Sequence, residues 1–146
     1  MIYDDLGSGN YRITLKVYRD CSVTSPFDGL PGSGSGPAWL TVYDALNNLV
    51  GVFDIGSPVI TVVPPAINNP CILTPNHICV EQGIYTYTIN LPPITGGYHL
   101  IYQRCCRNNT ILNIVTPGLV GSTYYTHIPG PEVTVTNNSP RFTNLP

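Results

Sequence analysis

The sequence predicts an all-β protein, a disulfide-stapled antiparallel sandwich of two sheets and about eight to nine strands, of immunoglobulin-like or jelly-roll type. Residues that suit strands, among them ten Tyr, are abundant, whereas the chain has one Met and few Lys or Glu. Turn-forming residues, 14 Gly and 15 Pro, recur along the whole length. Between these turns lie short apolar segments, and one longer segment alternates cleanly between apolar and polar residues.

The alternating segment covers residues 11–21, with the sequence YRITLKVYRDC. One face of this segment would carry Tyr11, Ile13, Leu15 and Val17, and the other face would carry Arg12, Thr14, Lys16 and Tyr18. A period of two with one apolar face is typical of a strand that buries one side. We therefore predict a first long strand here, packed against a second sheet.

The other predicted strands are short runs between turn signals. They cover residues 38–44, 49–55, 58–63, 84–91, 98–105, and segments near 111–115, 123–128 and 132–136. The pair Asn47-Asn48 tolerates the left-handed backbone of a tight turn, and the arms 84–91 and 98–105 suggest a hairpin. We expect the Gly/Ser-rich segment 22–37 to form a long mobile loop and residues 66–79 to be irregular.

Composition excludes several classes of function. Only 10% of residues are charged, the net charge is −2, and the six Lys and Arg residues form no dense cluster. A nucleic-acid interface or an anionic-membrane surface is therefore not expected. No apolar run reaches the roughly 20 residues of a membrane-spanning helix. We expect one domain over 1–146, excised from a longer multidomain protein, with Met1 as an added start.

Five cysteines, Cys21, Cys71, Cys79, Cys105 and Cys106, are the disulfide candidates. Cys71 and Cys79 would close a local loop, and Cys21 would pair with Cys105 or Cys106. Adjacent cysteines rarely pair with each other, so one thiol would be left over, either buried or paired with another chain. The spacing does not match structural zinc sites.

Catalytic and metal-binding patterns are absent from the sequence. His77, His99 and His127 accompany neither a GxSxG elbow nor an HExxH helix, and Glu81 and Glu132 are the only glutamates. We predict that the protein is not an enzyme and holds no cofactor. Calcium is the one alternative, since six aspartates lie mostly in predicted turns, although none follows a DxDxD spacing.

Exposed aromatic side chains are the remaining candidates for a binding site. Trp39, Tyr43, Tyr85 and Tyr87 lie on predicted strands, where a flat sheet face could present their rings to a sugar. The alternative is that these rings fill the core of the sandwich.

Several segments together resemble a known family. These are YRITLKVYRDC (11–21) with Pro26-Phe27, NPC (69–71), CVEQGIYTYTINLPPITGGYHLIYQRCCRN (79–108) and NNSP (137–140). They resemble the N-terminal domain of large secreted Bacteroidetes proteins that carry immunoglobulin-like or PKD repeats and a gliding-motility-associated C-terminal domain. The resemblance spans nearly the whole chain, and QRCCRN is its most specific motif. Some members place a further Cys near Asp4-Asp5, which this chain lacks.

The resemblance implies export by type IX secretion and display at the cell surface, but it assigns no ligand and no catalytic residue. We expect a non-enzymatic structural or adhesion module, active in adhesion or gliding motility, with neighbouring domains of its precursor as partners. A carbohydrate-binding module with surface glycans as partners is one alternative. A polymer subunit that joins other copies of itself through an edge strand or a free Cys is another.

Overall fold

The structure is a computed structural model that describes residues 1–22, 25–32, 34–64, 79–109, 111–133 and 136–141. Eight strands lie within these residues: β1 (Ile2–Gly7), β2 (Asn10–Asp20), β3 (Trp39–Asp44), β4 (Leu49–Asp54), β5 (Val59–Val63), β6 (Val80–Asn90), β7 (Tyr98–Arg104) and β8 (Ser122–Ile128). A single 3₁₀ turn, Pro117–Leu119, is the one helical element in this part of the chain. No helix among the described residues has the length and apolarity needed to cross a membrane.

The strands form two antiparallel sheets of four, which confirms the predicted all-β sandwich. Sheet A has the order β1-β2-β6-β5 and sheet B has the order β4-β3-β7-β8. This is the strand order of an immunoglobulin domain, in which strands A, B, E and D face strands C, F and G, with β4 added beside β3. The topology is therefore immunoglobulin-like rather than a jelly roll.

The core lies between the two sheets and follows the alternation seen in the sequence. Ile13, Leu15 and Val17 of β2 are all buried, as the pattern predicts. They pair across the ladder with β6, where Leu15 lies opposite Tyr85. From sheet B the core receives Leu40, Val42, Tyr98, Leu100 and Tyr102.

The segment 84–105 is not the hairpin that the sequence suggests. Strand β6 belongs to sheet A and β7 to sheet B, so residues 91–97 cross from one sheet to the other. Pro92 and Pro93 lack the backbone N–H groups that a continuing ladder needs. At this corner the Tyr98 hydroxyl donates a hydrogen bond to the carbonyl of Pro92 at 2.5 Å. Strand β7 corresponds to strand F of an immunoglobulin domain. A tyrosine at the start of that strand whose hydroxyl bonds to the backbone a few residues upstream is called the tyrosine corner.

The loop expected to be mobile is anchored where the structure describes it. Phe27 is completely buried, and the guanidinium of Arg19 lies over its ring at 4.7 Å from the centroid. A Cβ on Gly83 would lie 2.8 Å from this ring, so only glycine leaves room for Phe27 beside β6. The turn between β3 and β4 behaves as predicted, with Asn47 at a φ of 63°.

Other expectations for the strands differ from the structure. Residues 111–115 contain bends rather than a strand, and residues 131–133 form a turn, while 134 and 135 lie outside the described residues. The expected irregular excursion 66–79 also lies outside them, apart from Cys79. Strand β1 shows no clear alternation of apolar and polar residues. It pairs with β2 on one side, and on the other side the Ser139 N–H donates a hydrogen bond to the Tyr3 carbonyl at 2.9 Å.

Candidate functional site

The outward side of sheet B carries the exposed rings of Trp39 and Tyr125, and we call it the aromatic face. The strand register decides which side chains point outward. The core receives Leu40, Val42, Leu100 and Tyr102, so the residues that alternate with them along each strand point to solvent. The members of the aromatic face are Trp39, Thr41, Tyr43, Leu49, Val52, Asp54, His99, Ile101, Gln103, Thr123, Tyr125 and His127. Trp39 is 50% exposed and Tyr125 is 53% exposed.

One end of the aromatic face holds a cluster of stacked rings. His99 of β7 and His127 of β8 lie directly opposite each other, with ring centroids 4.9 Å apart. His99 also stacks on Tyr125 at 5.8 Å, and a hydrogen bond of 2.7 Å joins His99 Nδ1 to the Tyr125 hydroxyl. His127 Nε2 donates to the carbonyl of Gly96 at 2.9 Å. These contacts hold three aromatic rings in one fixed arrangement beside Tyr43, which pairs with His99.

The other end of the aromatic face places polar groups on both sides of Trp39. Asp54 of β4 is the cross-strand partner of Trp39. Because Leu40 pairs with Tyr102, the next position of the ladder puts Gln103 of β7 on the other side of Trp39. Gln103 Nε2 donates to Thr123 Oγ1 at 3.3 Å, and Asp54 Oδ1 accepts from the Gly56 N–H at 2.9 Å. A ring flanked by a carboxylate and an amide can stack on the apolar face of a sugar while bonding its hydroxyls.

The four aromatic candidates from the sequence therefore divide into two pairs. Trp39 and Tyr43 lie on the aromatic face, as a binding role requires. Tyr85 is 1% exposed and Tyr87 is packed against the core, so neither can receive a ligand at the surface. The physical reason is that Tyr85 and Tyr87 pair with Leu15 and Ile13 of β2, so their side chains point to the same, inner side of sheet A.

Sequence reasoning missed several members of the aromatic face. Tyr125, Gln103, Asp54, His99 and His127 were not predicted to take part in an aromatic binding site. The signal was available in YHLIYQR (98–104) and STYYTHI (122–128), which alternate with period two. Only the topology shows which side of each strand is covered by the other sheet.

A polar cluster joins Asp28, in the loop before β3, to Tyr85 of β6 and to Tyr102 and Arg104 of β7. The Tyr102 hydroxyl donates to Asp28 Oδ2 at 2.5 Å, and the Tyr85 hydroxyl donates to the Asp28 carbonyl at 3.0 Å. Arg104 Nη2 lies 3.8 Å from Asp28 Oδ1 and also donates to the carbonyl of Pro26. These bonds tie the loop to both sheets, so the cluster acts as an anchor.

Burial dominates the ionisation of the two tyrosines in this cluster. Desolvation, followed by the nearby Asp28 carboxylate, raises the pKa of Tyr85 to about 12. Desolvation and the hydrogen bond to Asp28 raise the pKa of Tyr102 further in the same direction. Both phenols are therefore neutral hydrogen-bond donors at neutral pH. Above the cluster lies an open cleft of about 440 Å³, whose lining includes Ser25, Gln103, Arg104 and Cys105.

The disulfides differ from the predicted pairs. Cys21 bonds to Cys79, with 5.3 Å between their Cα atoms, and Cys105 bonds to its neighbour Cys106. The predicted pairs Cys71–Cys79 and Cys21 with Cys105 or Cys106 are wrong, because β2 ends beside β6 in sheet A whereas β7 lies in sheet B. Asp20 pairs with Val80, so Cys21 and Cys79 are next in register. Cys71 lies outside the described residues.

The described residues assemble neither a metal site nor a nucleophile with its base. Within the described ranges no group of three or more His, Cys, Asp or Glu could hold a metal ion. The carboxylates of the aspartates considered for calcium are used separately. Those of Asp44 and Asp54 cap turns, and those of Asp20 and Asp5 accept hydrogen bonds from Ser22 and from the N–H groups of Gly7 and Asn137. The carboxylate of Asp4 pairs with Arg141, and that of Asp28 anchors the loop. His99 and His127 bond to a phenol and a carbonyl, and His77 lies outside the described residues.

Comparison with known protein families, with curated proteins and with solved structures finds no match to this chain. Two disulfides in a small β domain are typical of chains that mature in an oxidising compartment rather than in the cytosol.

Proposed function

We propose that the chain is a non-enzymatic module of a large bacterial cell-surface protein and that it acts in adhesion through the aromatic face. The observation that carries the proposal is the grouping of exposed rings on one outer side of the sandwich. The central strands of sheet A present Arg12, Lys16, Thr86 and Thr88 to solvent with one exposed ring, Tyr18, whereas sheet B presents Trp39, Val52 and Tyr125 beside the stacked rings of His99 and His127. Exposed apolar and aromatic patches with polar neighbours are typical of interaction surfaces.

The disulfides and the resemblance support an extracellular location for this role. Cys21–Cys79 closes the end of the β2–β6 ladder, and the polar cluster around Asp28 fixes the neighbouring loop. A module stapled in this way keeps the shape of its binding face in an oxidising compartment, where a disulfide such as Cys21–Cys79 persists. Export by the type IX route and a role in adhesion or gliding motility of a Bacteroidetes cell follow from the resemblance, as part of this proposal.

Adhesion of coated beads tests the proposal. Beads carrying the domain are placed on bacterial cells, polysaccharide gels and glass, and detachment is measured under flow. The double variant Trp39→Ala/Tyr125→Ala should lower retention on at least one surface by about tenfold, the effect of losing one to two kcal/mol of contact. The matched control, Thr86→Ala/Thr88→Ala on sheet A, should leave retention unchanged. Equal retention of all three proteins on every surface would refute the role of the aromatic face.

A carbohydrate-binding module is a second candidate, and the surroundings of Trp39 favour it. Asp54 and Gln103 flank Trp39 at the spacing of adjacent strands, about 4.8 Å. A pyranose ring stacked on the indole would therefore place hydroxyls near both a carboxylate and an amide. No cationic side chain belongs to the aromatic face, so neutral sugars fit better than anionic ones.

The single Trp of the chain makes this candidate simple to test. A glycan array screens neutral oligosaccharides, and any hit is titrated while the Trp39 emission is followed. Stacking should shift the emission to shorter wavelength, and Gln103→Ala should weaken binding several-fold, whereas Thr86→Ala should have no effect. An array without hits, or a hit that leaves the Trp39 emission unchanged, would refute a sugar site at Trp39.

A further inference from the structure

We propose that the Cys105–Cys106 disulfide is a thiol-reactive modification site, which opens in the folded domain and accepts a small thiol such as glutathione. Both cysteines are exposed, directly after β7 ends at Arg104. By contrast, Cys21 and Cys79 are half-buried. An attacking thiolate must reach a sulfur atom along the S–S axis, so exposure decides which disulfide is attacked first.

The two disulfides also differ in what holds them closed. Cys21 and Cys79 continue the β2–β6 ladder, with the Cys21 N–H donating to the Cys79 carbonyl at 3.1 Å, and they lie 58 positions apart in sequence. Because the folded ladder holds the Cys21 and Cys79 side chains next to each other, the Cys21–Cys79 disulfide re-forms after it is broken. Cys105 and Cys106 are neighbours in the folded and unfolded chain alike. Folding therefore adds little to the stability of their bond through loop closure.

The surroundings of the exposed disulfide favour its opening. Arg107 directly follows Cys106, so one cationic residue adjoins the pair on its C-terminal side, whereas the guanidinium of Arg104 is held by Asp28 and the Pro26 carbonyl. A nearby positive charge stabilises a thiolate, which makes each cysteine sulfur a better leaving group. The backbone on the far side is fixed, because the Arg107 N–H donates to the carbonyls of Pro117 and Val120 at 3.1 and 3.0 Å. The chain can therefore open the bond without losing the sandwich.

The reaction balances without another oxidant. The thiolate of one glutathione attacks one sulfur of the pair, the Cys105–Cys106 bond breaks, and a mixed disulfide forms with that cysteine. The other cysteine leaves as a thiolate and takes up a proton from water. A second glutathione thiolate can then release the first as oxidised glutathione and leave both cysteines reduced. Because Cys105 lines the cleft beside Gln103, a bound glutathione would lie next to the Trp39 end of the aromatic face.

Graded reduction of the folded, oxidised protein tests the proposal. The protein is equilibrated with increasing reduced glutathione, trapped with an alkylating agent, and analysed by intact mass and peptide mapping. Cys105 and Cys106 should become alkylated or glutathionylated at a concentration at least about tenfold lower than Cys21 and Cys79. Simultaneous opening of both disulfides, earlier opening of Cys21–Cys79, or a native map in which Cys105 and Cys106 are not linked to each other would overturn the proposal.

Two variants test the contribution of charge to the rate of opening. Arg107→Gln removes a flanking positive charge, whereas Arg107→Lys keeps it as the matched control. The rate of opening at fixed glutathione should fall several-fold in Arg107→Gln and stay near that of the original chain in Arg107→Lys. Equal rates in both variants would overturn the role assigned to Arg107, and far-ultraviolet circular dichroism shows that each variant remains folded.

Discussion

The Tyr98 hydroxyl donates a hydrogen bond of 2.5 Å to the carbonyl of Pro92, and this bond fixes the crossing from sheet A to sheet B. The bond lies at the start of β7, and the ring of Tyr98 is buried at 5% exposure. Its removal leaves the Pro92 carbonyl without this donor in a partly buried site. The crossing is what places Leu100 and Tyr102 in the core and His99 and Gln103 on the aromatic face.

Tyr98→Phe should therefore lower the free energy of unfolding by about 1–2 kcal/mol, since only the hydrogen bond is lost while the ring is kept. Urea denaturation followed by circular dichroism measures the change. Tyr18→Phe is the matched control, because Tyr18 is 57% exposed on the outer side of sheet A. A loss in Tyr98→Phe no larger than that in Tyr18→Phe would show that the tyrosine corner does not hold the fold.

Removal of the two disulfides should have unequal effects on stability. Cys21→Ser/Cys79→Ser opens a bridge between residues 58 positions apart and should cost about 4 kcal/mol by loop-closure entropy. Cys105→Ser/Cys106→Ser opens a bridge between neighbours and should cost less than about 0.5 kcal/mol. Thermal and urea unfolding of both double variants measure the difference. Comparable losses in the two variants would contradict the pairing described for Cys21 and Cys79.

Stability should fall at alkaline pH because of the buried phenols. The pKa of Tyr85 is raised to about 12 and that of Tyr102 is raised as well, so the folded state binds these protons more tightly than the unfolded state. The stability that each phenol contributes is complete below about pH 10 and is lost as pH rises through the folded pKa, at about 1.4 kcal/mol per pH unit.

Urea unfolding between about pH 8 and about pH 11 measures how steeply the free energy of unfolding falls with pH, which is the slope compared below. Tyr102→Phe should be less stable at the lower pH, because Asp28 Oδ2 loses the hydrogen bond from the Tyr102 hydroxyl, but it should lose less stability on going to the higher pH. Tyr18→Phe, at an exposed position, should keep the slope of the original chain. An unchanged slope in Tyr102→Phe would mean that this phenol is not protected in the folded state.

Strand β5 should make the domain prone to self-association. It is an edge strand of sheet A, and Val59 and Val62 are 68% and 63% exposed. It carries no charged residue, and uncharged, apolar edge strands pair readily with other chains. Val62→Lys should therefore reduce association at high concentration, measured by sedimentation velocity, whereas Thr86→Lys on the central strand β6 should not. Equal behaviour of the two variants would show that the β5 edge is not the contact.

Much of the fold could be predicted from local pattern, because the features involved are local. The alternation of residues 11–21 identified Ile13, Leu15 and Val17 as core residues, and Asn47 marked the turn between β3 and β4. Sheet membership is not local, which is why the hairpin 84–105 and the partners of Cys21 were predicted wrongly. Adjacent strands in sequence, β6 and β7, lie in different sheets, and no pattern in either strand records this.

The candidate site was predictable only in part for the same reason. Trp39 and Tyr85 are both aromatic residues on alternating strands, yet one is exposed and the other is buried. The difference depends on which side of each strand faces the other sheet. His99, Gln103 and Tyr125 became members of the aromatic face only once Tyr98, Leu100 and Tyr102 were seen in the core.

The central claim is that the domain adheres through the aromatic face, and the emission of its single Trp tests this most directly. Acrylamide quenching of Trp39 is compared between the free domain and the domain bound to whichever surface retains the coated beads. Contact through the aromatic face should lower the quenching constant of Trp39 at least about twofold, because its indole is half exposed in the free domain. Firm adhesion with the same quenching as in solution would contradict the account.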